Sequence, residues 1–240
     1  MGEGEFVKHM LNNDLIPPPN FHPDPLGIDG ASVLYPEERD TVPIVLMLAY
    51  EVMLHAVRLG VLAHELRHDP TMVTADMQCR AMTIKFRRRQ VYEIQESLRR
   101  LWTRPDVQGL TKSPLPPRAE QLYLLVWTRY RACIIYSHTS IWPGQRMHTS
   151  PDSDSEIAAA TQQILQLAEV MIANDSYGSR FLIFPLFMAG VASMIAKQKM
   201  LALNLIQQVE REAIGRIATI TRQTLEAIYQ RQNQQLMVTG

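Results

Sequence analysis

The chain has 240 residues, 46% of them apolar, and its 24 basic side chains are balanced by 24 acidic ones. That length holds ample core for one large domain or two small ones, and the zero formal charge removes any net pull toward nucleic acid or an anionic membrane. Cys79 and Cys133 are the only cysteines and form neither a C-x-x-C pair nor a ligand cluster, which excludes a disulfide scaffold and a multi-cysteine metal centre.

The charge is unevenly spread. Residues 1–40 carry Glu3, Glu5, Asp14, Asp24, Asp29, Glu37, Glu38 and Asp40 against Lys8 and Arg39, whereas 41–150 hold an excess of bases. The arm also contains Pro17-Pro18-Pro19 and further prolines and glycines up to Gly30, so it reads as extended, with a short helix over Phe6–Leu15. Its acidic start lacks the apolar core of a secretory leader, which points to an intracellular protein.

From residue 41 onward the pattern is helical. Asp40-Thr41-Val42-Pro43 offers a cap and an early proline, opening a helix to about residue 67 that Asp69-Pro70 ends. A polar stripe through Glu51, His55, Arg58 and Glu65 breaks its apolar faces. The spacing of Met77, Ala81, Ile84, Val91, Ile94, Leu98 and Leu101 predicts a second helix from about Thr74 to Trp102, with Cys79 buried along it. Four prolines make 103–117 a linker. A third helix follows over 118–141, with Cys133 as a second buried thiol, and Pro143-Gly144 ends it. Ser153-Asp154-Ser155-Glu156 matches a capping box and starts a fourth helix that runs to Asn174.

Residues 181–196, from Phe181 to Ala196, are uncharged throughout. Crossing a bilayer takes about 20 apolar residues, so this run is short and reads instead as a central helix buried on nearly all sides. Pro185 would start or kink it. Gly190 would admit a neighbouring helix, so alanine there should be mild and leucine disruptive. Two more helices, over about 198–214 and 216–233, divide at Gly215. No segment alternates with period two, so the expectation is an all-α array of six or seven helices around 181–196.

Three constellations carry potential chemistry. His64-Glu65-Leu66-Arg67-His68 is a literal H-E-x-x-H, in which two imidazoles one helical turn apart bind zinc and the glutamate serves as base. It needs a third ligand; residues 71 and 74 are both Thr where an extended motif would have Gly and His, and Glu93 and Glu96 are the nearest carboxylates downstream. Lys85-Phe86-Arg87-Arg88-Arg89, followed by Arg99-Arg100, suits an import signal or a nucleic-acid contact, but three adjacent arginines fan around a helix and cannot grip one groove. Met188 and Met194 in the central run would line an adaptable pocket or fill core. Phosphate loops and a nucleophile elbow are absent from the sequence, and no catalytic, cofactor-binding or metal residue is assigned.

Four segments also carry a resemblance. Phe184-Pro185-Leu186-Phe187-Met188-Ala189-Gly190, His138-Thr139-Ser140-Ile141-Trp142-Pro143-Gly144-Gln145-Arg146, the pair Leu201–Glu210 and Ala213–Arg216, and Leu225–Gln232 resemble, in order, signatures of the fungal transcription-factor domain. That domain lies C-terminal to a zinc binuclear cluster in fungal gene regulators. The resemblance implies a non-enzymatic, nuclear regulatory domain over 41–240 behind a proline-rich acidic arm. Its partners would be transcriptional machinery or co-regulator proteins, a small-molecule effector, or a second copy in a homodimer. Direct specific DNA binding and membrane association are not expected. Two cysteines cannot build the family's six-cysteine cluster, so the chain is expected to be a fragment, a truncated product or a member without its DNA reader. A zinc metallopeptidase through His64, Glu65 and His68, and a helical interaction scaffold unrelated to transcription, stand as alternatives.

Overall fold

The first helix forms where the arm gives way to an unbroken apolar run. A computed structural model describes residues 35–68, 76–139, 151–174, 178–212 and 216–239; the helix expected over Phe6–Leu15 lies outside them. The described residues contain eight α-helices and no strand. Contacts divide them into two units, parting at Val126–Trp127 within the fourth helix.

In the first unit, a 3-10 turn at Pro36–Glu38 leads into α1, Val42–His68. Pro43 costs nothing there, because first-turn amides have no acceptor within the helix. The turn is tied down by Glu38, whose nearly buried carboxylate accepts from Arg118 Nη1 at 3.4 Å and from its own turn at Tyr35 N–H. α1 has the length and composition to cross a bilayer, with a mean hydropathy of 1.7 over its most apolar window. Here it instead packs on α2, Met77–Leu101, and on α3, Pro105–Leu110.

Asp76 sets the start of α2, its carboxylate accepting from Cys79 N–H at 2.7 Å. Val91, Ile94, Leu98 and Leu101 are buried as the spacing predicts. The first part of the expected stripe is not: Ala81 is exposed and Met77 is 87% exposed. Cys79 is exposed too, correcting its reading as a buried thiol, because residues 76–82 form an uncovered helix end. α3 lies inside the stretch expected as a linker. Pro105 at its first position and Asp106 in its first turn favour this short helix, and Val107 and Leu110 anchor it in the core. Arg104 fixes its entry, pairing with Asp106 and, at 2.6 Å, with Glu51 of α1. The first half of α4, Pro117–His138, completes this unit.

The second unit takes the other half of α4 together with α5, Pro151–Ala173; α6, Ile183–Ala192; α7, Ala196–Glu212; and α8, Ile217–Thr239. α5 starts at Pro151, two residues before the predicted capping box, so Ser153 is a buried residue of its first turn and not the cap. Its buried stripe of Ala160, Ile164, Ala168 and Ile172 keeps helical spacing. α6 packs against α5, α7 and α8, and Leu186, Met188, Ala189 and Gly190 are all buried.

The central run is nevertheless not one helix from 181 to 196. A 3-10 turn, Ser179–Leu182, precedes α6, and the helix stops at Ala192. Ser193 turns extended (φ −66°, ψ 134°), accepts from Ile195 N–H at 3.1 Å and donates to Gln198 Oε1 at 2.8 Å. A serine hydroxyl offers the backbone a local alternative to helix, and here that alternative wins. The break carries Met194 out to 82% exposure, so it shares no pocket with buried Met188.

His55 of the polar stripe supplies a pH-dependent term. Its Nδ1 is buried without a hydrogen-bond partner among the described residues. Burial, reinforced by Arg58, pushes its pKa from 6.5 down to about 4. Between those values the folded chain keeps His55 neutral while the unfolded chain binds a proton there. Stability should therefore fall by about 1–2 kcal/mol as pH drops through this window, less than the full shift implies because the ring is only partly shielded from water, and level off below it. Urea unfolding at pH values on either side of the window, compared between the parent and His55→Gln, checks this. An unchanged slope in the variant would remove His55 as its source.

Candidate functional site

The segments singled out in the sequence fall into two groups, one in each unit. In the second unit the geometry centres on Gly190. A Cβ built there would stand 2.8 Å from Leu225 Cδ2, 2.9 Å from the Tyr229 hydroxyl and 3.2 Å from Ala202 Cβ. The bare backbone of α6 therefore touches both α7 and α8. Tyr229 Oη donates to the Gly190 carbonyl at 3.0 Å, with the Lys199 carbonyl also near, at 3.4 Å. Burial raises the pKa of this phenol, so it stays a neutral donor. Lys199 lies over the Tyr229 ring, 5.1 Å from its centroid, and donates to Gln232 at 2.6 Å.

The neighbouring segments are tied in the same way. Glu210 near the end of α7 accepts from Arg222 Nε of α8 at 2.7 Å, and Arg222 also donates to Glu226. These contacts lower the Glu210 pKa. His138 at the end of α4 is buried, with Nε2 2.9 Å from Glu156 of α5. Residues 140–150, the rest of that segment, lie outside the described residues. Tyr136 meets the Phe184 ring at a centroid distance of 6.3 Å. Cys133 is a buried free thiol, with a pKa pushed up to about 12 by desolvation. Apart from Arg222–Glu226, which lies within α8, these contacts position one helix against another, and none aligns a nucleophile with a base.

The first unit holds the H-E-x-x-H segment, at the exposed end of α1. The His64 and His68 rings lie 4.2 Å apart, tilted by 30°, and His68 Nδ1 is 2.9 Å from the His64 carbonyl oxygen. Glu65 is turned aside, accepting from Arg87 of α2 at 2.8 Å. The two carboxylates considered as third ligands are also engaged, Glu93 with Arg89 and Glu96 with Arg100. Among the described residues, no third His, Cys, Asp or Glu joins the pair. Glu65 is thus placed as a helix-to-helix contact and not as a base beside a metal-bound water.

The basic run sits mid-helix, its arginines dispersed around α2. Arg87 points to Glu65 and Gln90, and Arg89 lies along the outer face toward Glu93. A groove of about 630 Å³ follows that outer face, lined by residues from Lys85 to Arg100. The sequence showed the basic residues, but their separation into inward and outward sets depends on where α1 lies.

Two tests follow. Glu65→Gln should cost about 1 kcal/mol by weakening the partly buried Arg87 contact, more than a solvated stripe residue would. Its effect should be non-additive with Arg87→Ala in a double-mutant cycle, and full additivity would deny the pair. At the pivot, the expectation of a mild Gly190→Ala is corrected, since the methyl meets three close neighbours. It should destabilise by about 1–3 kcal/mol despite a helix-propensity gain of about 1 kcal/mol, and Gly190→Leu by more. Adding Tyr229→Phe removes one colliding atom, so the double variant should lose less than the sum of the singles. A thermal melt of Gly190→Ala at or above the parent would show that the helices do not meet there.

Neither a curated protein nor a solved structure matches the chain. A family model does, described as the fungal specific transcription factor domain and matched over residues 50–235. The match spans most of both units and takes in all four segments whose motifs resemble that domain. The chain therefore belongs to the fungal specific transcription factor domain family.

Proposed function

We propose that the chain acts as the regulatory domain of a zinc-cluster transcription factor, working in the nucleus through contacts with co-regulator proteins, the transcriptional machinery or a small-molecule effector. The observation that carries this reading is the family match over residues 50–235. The packing supports it. The motif residues Gly190, Glu210 and Tyr229 hold helices together, which suits a domain that works by presenting surfaces and not by turning over a substrate. The two cysteines, one exposed and one buried, are too few to build a six-cysteine zinc cluster within this sequence. A zinc-peptidase reading gains no support from a Glu65 paired with Arg87.

Fusion to an unrelated DNA-binding domain tests this role. The fused chain should enter the nucleus and change transcription from a reporter carrying that domain's site. Nuclear exclusion together with an unchanged reporter would favour a helical scaffold unrelated to transcription. By itself the chain should give no sequence-selective shift of duplex DNA that survives about 200 mM salt, because non-specific phosphate contacts are largely lost there.

A further inference from the structure

The last turn of α1 keeps a pair of side chains that neither the packing nor the proposed role uses. His64 and His68 stand four residues apart on one helix face, both exposed, with their rings 4.2 Å apart and tilted by 30°. A carbonyl oxygen can only accept, so the 2.9 Å contact with the His64 carbonyl puts the proton of the neutral His68 ring on Nδ1 and its lone pair on Nε2. Metal-binding histidines are commonly held in this way, one ring nitrogen donating to a carbonyl while the other faces the ion. His64 lies at the same surface and can turn its ring about two side-chain bonds to bring a second nitrogen alongside.

We infer that His64 and His68 form a two-imidazole site for a late first-row divalent cation, the class of Ni(II), Zn(II) and Cu(II), with water in the remaining positions. Binding asks less than catalysis. A peptidase centre needs a third protein ligand and a free general base, and among the described residues this turn has neither. A chelate needs only two donors on one ion. With metal–nitrogen bonds of about 2.0–2.1 Å, imidazoles at neighbouring positions of one ion have ring centres roughly 4.5–5 Å apart, so these rings need to part only slightly. Neutral imidazole suits these ions, with Cu(II) bound most tightly. Mg(II) and Ca(II) want carboxylates, and Glu65 is taken by Arg87. A metal bridging residues 64 and 68 clamps the turn whose Leu66 is buried and whose Glu65 reaches α2, so it strengthens the end of α1 where the two helices meet.

Ni(II) titrated into the full, tag-free chain tests this, since Ni(II) does not oxidise the exposed Cys79 thiol. The chain has seven histidines, so the double variant His64→Ala with His68→Ala supplies the background from the others. Calorimetry should show one site in the parent that the double variant lacks. Each single alanine variant should bind roughly tenfold or more weakly there, because the second bond of a chelate forms at high effective concentration. Glu65→Gln should bind as the parent does. Ni(II) should also raise the melting temperature of the parent with increasing concentration, and by more than that of the double variant. Metal-free circular dichroism melts close to the parent's would show that the alanine variants fold. Equal affinity and stoichiometry in the parent and the double variant would mean adventitious binding only and overturn the site. A parent that takes up no Ni(II), or single variants that bind as tightly as the parent, overturns it equally. So does loss of binding in Glu65→Gln, since the ion would then depend on a carboxylate.

Discussion

The backbone-to-helix approach at Gly190 is the constraint on which the second unit depends. A ten-residue helix is too short to persist in water on its own, so α6 exists because α5, α7 and α8 enclose it. Enclosure demands proximity, and a side chain at 190 would collide with Leu225, Tyr229 and Ala202 unless α7 and α8 gave way. Once they close in, the Tyr229 hydroxyl reaches the Gly190 carbonyl, and a buried polar atom that would otherwise be costly becomes part of the seam. One absent Cβ thus permits both the dispersion contacts and the hydrogen bond.

The first unit joins its helices differently. α1 buries a ridge of Val45, Leu48, Val52, Leu59, Leu62 and Leu66, while its polar stripe meets basic residues of the elements packed on it. Glu51 is held by Arg104 and Glu65 by Arg87, each pair partly shielded from water. Such pairs contribute modestly to stability, but they choose among helix orientations, because a misplaced register would leave the carboxylates facing apolar surface. His55, whose Nδ1 has no hydrogen-bond partner among the described residues, is held neutral by burial to pH values below the usual imidazole range.

The residues that identify the family are residues of packing. The Phe184 and Tyr136 rings meet at a tilt, Glu210 ties α7 to α8, and His138 ties α4 to α5. A motif of this kind marks a fold and says little of a reaction, since function on a shared fold is set by the surfaces that vary around it. The exposed apolar side chains of this chain lie on such surfaces: Met82 and Phe86 on the outer face of α2, Met194 and Ile195 at the end of α6, and Ile217 and Ile220 at the start of α8.

Helical periodicity alone determined the class of fold and most helix positions, because an amphipathic stripe such as Val91, Ile94, Leu98 and Leu101 repeats with the pitch of the helix whatever it packs against. The place of Gly190 was legible for a similar reason: an isolated glycine in an apolar helix costs stability unless something occupies the space it leaves. The end of α6 was harder to read. Ser193 stands in the uncharged run, but whether its hydroxyl ends the helix depends on Gln198 and Ile195 being in reach. The helix at Pro105–Leu110 was hidden because six residues are too few to show a period, and Val107 and Leu110 only matter once α1 lies beside them. The H-E-x-x-H segment shows the limit most plainly. Its letters specify a spacing along one helix, whereas metal chemistry needs a third group from elsewhere and a free carboxylate. The tertiary structure instead placed Arg87 against Glu65, because the partner of a charged side chain is decided by which helix packs beside it.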